Sequence, residues 1–149
     1  MISTIAIACH AAPPIDANRV LSVEEVIANI DQFNGKRVRI GGYLGRCEGY
    51  DCMLFSNARD QQAFAAFIAD PRAWGDKQLP DELGIGWNLA FDQAARPFNN
   101  RYVMITGKVS NHCRRHAKAV CTDRAEDISP IEIAPWRPAS QRSSGAIRS

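Results

Sequence analysis

The sequence predicts a mainly β, α+β domain, and three of its features carry that prediction. Val38, Ile40 and Leu44 alternate with polar residues, the pattern of a half-buried strand. The stretch 33–42 then recurs as 98–107: the Phe, an Asn, the Val, the Ile and the last Gly match, and a basic residue stands at Lys36 and at Arg101. Each copy is a turn feeding an alternating strand with a glycine bend, and each is followed by a cysteine pair. Cys47 and Cys52 bracket four residues, and Cys113 and Cys121 bracket seven. Two hairpins thus enter and bend around one core in the same way.

The elements follow in order. Residues 1–20 read as a leader or disordered arm. Residues 2–12 are small, apolar and uncharged, like the end of a secretory h-region followed by an Ala-rich cleavage zone. The basic n-region and the usual length of about 15–30 residues are missing, so the stretch reads as a signal-peptide remnant. Cys9 stands where a lipoprotein box places its cysteine, but Ala6 replaces the usual larger aliphatic.

Ser22 and Glu25 form a capping box. Val23, Val26, Ile27 and Ile30 follow at helical spacing, which predicts a helix over 22–33. Asn34-Gly35 ends it. In the strand that follows, Gly41-Gly42 marks a bulge or a sharp bend. Met53-Leu54-Phe55 is the return strand. Phe64, Phe67 and Ile68 predict a helix over 58–69, stopped by Pro71, with a loop over 71–80. Ile85-Gly86-Trp87 reads as a short strand, and 91–95 as a short helix before Pro97. After the second hairpin, Ile128, Ile131 and Ile133 form a last apolar segment interrupted by Pro130. The folded domain spans 21–134. From Pro135 the chain is Pro/Ser/Arg-rich and free of acids, a disordered basic tail over 135–149.

A chain of 149 residues fits one domain, since domains run to roughly 100–200 residues. The net charge of +2 is too small to call by itself for a nucleic-acid or membrane partner. No stretch approaches the ~18 apolar residues of a transmembrane helix.

The element order β-β-β-α-β-β is that of an OB-fold, a five-stranded Greek-key barrel. Here it would carry an extra N-terminal helix and a helical insertion near 58–80. The segments NGKRVRIGGYLGRCEGYDCMLF and RYVMITGKVSNHC…VCTDRAEDISPIEI resemble small exported bacterial proteins of uncharacterised function with OB-like barrels and paired cysteines. The resemblance covers roughly residues 22–134 and implies no catalytic residues.

A four-residue loop sets Cys47 and Cys52 face to face across a strand pair, where Cβ atoms lie about 4.5–5.5 Å apart. That is close to what a disulfide requires. Cys113 lies at period two from Val103, Ile105 and Val109, so it is expected on the core face, with Cys121 returning beside it. Bridges over loops this short are worth about 2–3 kcal/mol each. The alternative is a tetrahedral zinc site of all four thiolates, with His112 or His116 as substitutes. A Cys113 nucleophile is disfavoured, because adjacent strand residues point to opposite faces and His112 is then badly placed.

Arg114, Arg115, His116 and Lys118 make a basic second tip. With Arg46 on the first tip they form an electropositive rim, beside which Tyr43, Tyr50 or Trp87 offer stacking platforms. The competing reading is a solvated hairpin tip. Residues 121–127 hold three acids and Arg124, which can pair with an acid. No phosphate loop, HExxH, GxSxG or dinucleotide fingerprint is present, so no cofactor and no catalytic residue is assigned. The leading expectation is a non-enzymatic, monomeric domain, periplasmic or secreted. It binds an envelope protein, glycan or lipid headgroup through Arg46, Tyr50, Arg114, Arg115, His116 and Lys118. The alternative is a cytosolic OB-fold that binds single-stranded nucleic acid, with zinc between the hairpins.

Overall fold

The computed structural model describes Asp16, residues 18–115, Cys121 and residues 124–142. The chain folds as a mixed α+β domain around one six-stranded sheet. Strand β1 (Val20–Ser22) runs into helix α1 (Val23–Ala28) and helix α2 (Ile30–Phe33). Strand β2 (Arg37–Leu44) and strand β3 (Met53–Phe55) form the first hairpin. Helices α3 (Ala58–Ala69) and α4 (Pro71–Trp74), strand β4 (Glu82–Gly84) and helix α5 (Leu89–Ala95) follow. After a 3₁₀ turn at Arg96–Phe98 come strand β5 (Arg101–Val109), the short helix α6 (His112–Arg115), strand β6 (Ile128–Pro135) and helix α7 (Ala139–Arg142).

The sheet order is β4-β3-β2-β5-β6, with β1 parallel to β2 on the edge that β3 leaves free. Every other ladder is antiparallel. The axis is the β2–β5 ladder, in register from Arg37 opposite Lys108 to Leu44 opposite Arg101. Alternation sends Val38, Ile40 and Leu44 of β2, and Val103, Ile105 and Val109 of β5, into a common core with Val26, Leu54, Leu83 and Ile128. Each aliphatic side chain fully buried there contributes about 1.5–3 kcal/mol.

The barrel expected from the sequence is not closed by a ladder. Strand β4 is three residues long, so beyond its pairing with β3 it offers little backbone to β6. One isolated parallel bridge, Ile85 with Ile128, spans the gap. The Gly86 N–H donates to the Ile128 carbonyl at 2.8 Å and the Asp127 N–H to the Gly84 carbonyl at 3.0 Å.

Several local expectations hold. Ser22 caps α1, with the Glu25 N–H donating to its Oγ at 3.1 Å. Gly35 takes the left-handed conformation at φ +77 that ends α2. Helices over 58–69 and around 91–95, and the strand at 53–55, form where the periodicity puts them. Others shift. The first helix breaks at Asn29, whose side-chain Nδ2 donates to the Glu25 carbonyl and so takes an acceptor from the helix ladder. Strand β1 forms where the arm was expected to end. The middle strand is Glu82–Gly84, three residues ahead of the predicted one, because Gly86 and Trp87 have already left the ladder.

The glycines act differently from the prediction. No bulge interrupts the ladder at Gly41-Gly42. A Cβ at Gly41 would lie 2.7 Å from the Trp136 ring, and one at Gly42 would lie 2.7 Å from the Phe55 carbonyl oxygen. Both positions are therefore small because neighbours press on both faces of the strand. The bulge lies instead between Thr106 and Gly107, opposite Pro130, which suits a proline in an edge strand. Where a tail was expected from Pro135, β6 runs to Pro135, Trp136 seats on Gly41, and α7 follows. Residues 143–149 and most of the arm lie outside the described residues.

Replacing Gly41 by Ala is expected to cost about 1–3 kcal/mol of stability, as overpacking of a filled site does. Urea denaturation followed by tryptophan fluorescence measures this. An unchanged midpoint would mean that Trp136 does not seat on Gly41.

Candidate functional site at the first cysteine hairpin

The first hairpin turns tightly beyond the ladder. The Glu48 N–H donates to the Asp51 carbonyl at 2.7 Å and the Asp51 N–H to the Glu48 carbonyl at 3.1 Å. Gly49 takes φ +58 in the turn between them. Cys47 and Cys52 flank this turn and form a disulfide that belongs to the buried core.

Arg124 lies beneath the turn with its side chain 1% exposed. Its Nη1 and Nη2 donate to the two carboxylate oxygens of Asp92 on α5, each at 2.8 Å. Its Nε donates to the Ile85 carbonyl at 2.5 Å, and Nη1 also donates to the Gly49 carbonyl at 3.2 Å. Nη2 reaches Cys47 Sγ at 3.4 Å. The guanidinium carbon lies 5.0 Å from the centre of the Trp87 ring, within cation–π range. All five guanidinium donors are thereby engaged without water.

Trp87 is 55% exposed and Tyr50 is 68% exposed, and their rings meet edge to face at 5.6 Å. Leu89 stands exposed two residues beyond Trp87. The arrangement is a solvent-facing aromatic pair on a fixed base of disulfide, guanidinium and carboxylate. Beside the tip a cavity of about 270 Å³ opens between the hairpin and α3, lined in part by Arg46, Asp51, Met53, Gln61 and Phe64.

The second cysteine pair is also a disulfide, but Cys113 is in helix α6 and not on a strand. β5 ends at Val109, before Cys113 can continue its core face. Helix α6 is held to α2 instead. Asp31 accepts from Asn111 Nδ2 at 2.7 Å and from Arg115 Nε at 2.8 Å. These contacts, Arg115 first, hold the Asp31 carboxyl below the usual carboxylate range.

The predicted binding residues divide. Tyr50 joins Trp87, but Tyr43 lies against Tyr102 on the sheet, with ring centres 5.1 Å apart. The cations are already engaged. Arg46 pairs with Glu48, Arg115 with Asp31, and Arg114 with Asp127 at 3.1 Å and with the Glu82 carbonyl. Asp127 also accepts from the Gly84 N–H at 2.9 Å. Burial pushes the neighbouring Glu82 carboxyl above its usual range, against the pull of Arg114. His116 and Lys118 lie outside the described residues.

The four cysteine sulfurs do not converge on one point. Among the described residues the grouping with metal-ligand chemistry is Cys47, Cys52 and Asp92. Its sulfurs are joined to each other, and a disulfide has no thiolate to offer a metal. The four thiols of the expected zinc alternative are thus held in two separate pairs. The residue that sequence reasoning missed is Asp92. Its one signal was an acid between Phe91 and Ala95 on the apolar side of a short helix.

Removing one partner of the Arg124–Asp92 pair leaves the other charge buried alone. Asp92→Asn is expected to cost about 3–5 kcal/mol, read by denaturant unfolding. A loss within experimental error would refute a structural role for the pair. The lowered Asp31 pKa adds stability that is present above the usual carboxylate range and lost as pH falls through the lowered value. Asp31→Asn should therefore flatten the acid limb of a stability–pH curve and leave its slope near neutrality unchanged.

No protein-family model, curated protein or solved structure matches this chain.

Proposed function

We propose that the protein is a non-enzymatic binding domain of OB-like connectivity, exported to an oxidising compartment, that contacts an envelope partner through Tyr50 and Trp87. The observation that carries this reading is the exposed aromatic pair on a base of disulfide and buried guanidinium. Exposed aromatics held rigidly lose little entropy on binding, and aromatic residues are enriched at protein contact surfaces.

The connectivity supports the OB-like part. The ladder order and the parallel Ile85–Ile128 bridge fit a small, partly open Greek-key barrel with α5 between its third and fourth strands. In that fold the first hairpin loop and the loop between the last two strands carry ligands, and here each of those loops holds a disulfide. Disulfides in a domain large enough to build its own core fit an oxidising, extracellular environment. No helix among the described residues is long and apolar enough to cross a membrane. Among the described residues of the tips, Arg46, Arg114 and Arg115 each hold a carboxylate, so the surface they leave is chiefly the aromatic pair. That favours an envelope protein over a lipid headgroup or a nucleic acid at this end.

Two measurements test the reading. Intact mass of the natively purified protein, alkylated with and without prior reduction, should show Cys47, Cys52, Cys113 and Cys121 protected until reductant is added. Four reactive thiols would defeat the oxidising compartment. A photocrosslinking phenylalanine at position 50, in cells that make the protein, should give a discrete adduct that the same group at Arg59 of α3 does not. Identical adduct patterns at both positions would defeat the tip contact.

A further inference from the structure

Among the described residues, two cations stand opposite each other without an ion pair on the outer face of the sheet, away from the hairpin tips. Alternation puts Arg37, Arg39, Gly41 and Tyr43 of β2 on the face opposite the core. The register sets Arg37 beside Lys108, Arg39 beside Thr106 and Glu132, and Tyr43 beside Tyr102. The rows grade from cationic through polar to aromatic.

The cationic row is costly as it stands. Like charges directly opposite on a strand pair repel. Among the described residues neither Arg37 nor Lys108 has an ion pair, and Arg39 reaches only the Asn18 carbonyl, at 3.4 Å. Among the described residues of the tips, by contrast, Arg46, Arg114 and Arg115 each hold a carboxylate. Glu132 is the one acid in these rows. At the other end the Trp136 ring is seated on Gly41, with Tyr102 between it and Tyr43. A cavity of about 410 Å³ lies over the middle rows, lined by Arg37, Val38, Arg39, Met104, Thr106 and Glu132.

We infer that this face binds a carboxylated polysaccharide. The guanidinium fork and the ammonium take the carboxylates. The Glu132 carboxylate accepts from sugar hydroxyls, and the Thr106 hydroxyl that lines the cavity donates to or accepts from them. The half-exposed rings at the far end take the apolar faces of the pyranose rings. The repeating anion matches a row of cations across two strands, and a sugar occupies the cavity between charge and ring. The site is separate from the Tyr50–Trp87 tip. The choice of a glycan over a nucleic acid rests on the proposed export.

The test is calorimetric titration of the intact protein with a tetragalacturonate, with the neutral chitotetraose and with an oligothymidylate of equal charge as comparators. Arg37→Gln combined with Lys108→Gln alters two exposed, unpaired side chains, and its unfolding midpoint is measured beside it. The uronate is expected to bind with an affinity that falls as salt rises. The double variant should weaken it at least about tenfold, the loss of a charge-assisted contact, with the midpoint unchanged or raised as the repulsion is removed. Chitotetraose should not bind, and Trp87→Ala should bind the uronate as the parent does. Three results would overturn the inference: no uronate binding at low salt, equal binding by the double variant, or tighter binding of the oligothymidylate. Loss of uronate binding in Trp87→Ala, with the double variant unaffected, would move the site to the tip and overturn it as well.

Discussion

Arg124 is the point on which the upper end of this domain depends. Its guanidinium joins four parts of the chain that are distant in sequence: the first hairpin turn, the end of β4, helix α5 and the segment leading into β6. Burying a guanidinium is costly, and the cost is offset only when a carboxylate and the remaining donors' partners are all in place. Asp92, two backbone carbonyls and the Cys47 sulfur meet that condition. A lysine could not replace it, since one ammonium cannot bridge a carboxylate bidentately and still reach carbonyls on two other segments. The disulfide and the arginine divide the task. The bridge closes a short loop, worth about 2–3 kcal/mol by chain entropy, and fixes the turn's local shape. Arg124 fixes where that turn stands relative to β4 and α5.

The gap between β4 and β6 explains why such a device is needed. A sheet that nearly returns to its own first edge leaves backbone donors and acceptors facing each other with too few residues to pair them. Here one bridge and the Asp127 side chain satisfy Gly84, while Arg114 neutralises Asp127 from outside. Arg124 takes the Ile85 carbonyl on the same strip. Side chains thus complete a closure that a longer β4 would have made with backbone alone. Of the arginines that make the basic rim in the sequence, Arg114 is part of this framework.

What the sequence discloses follows from range. The α1 cap, the Gly35 stop, the period-two core of β2 and β5, and the helix over 58–69 depend on neighbours within a few residues, and each is legible. The break at Asn29 is local, but the larger failures are long-range. Gly41 is a glycine because of Trp136, 95 positions away in sequence, so reading it as a bend was a local explanation for a tertiary fact. The fate of Arg46, Arg114 and Arg115 depended on acids that only the fold brings near. Asp92 was missed for the same reason: its place between Phe91 and Ala95 hints at burial, but Arg124, its partner, is brought near only by the fold. The cysteine pairing was legible because each pair closes its own loop.

Charge placement can therefore be read only after the pairing is known. Counted along the chain, the cations cluster at the second tip. Once carboxylates are assigned among the described residues, Arg37 and Lys108 are left facing each other without one on the outer rows of β2 and β5. Free charge on a sheet face carries a repulsive cost that a neutral pair such as Thr opposite Thr would avoid. A structural arginine lowers the energy of the fold that holds it, as Arg124 does through Asp92. Arg37 and Lys108 do the reverse, facing each other without an acid between them. On the proposed reading, a ligand of opposite charge lying over that row offsets the repulsion.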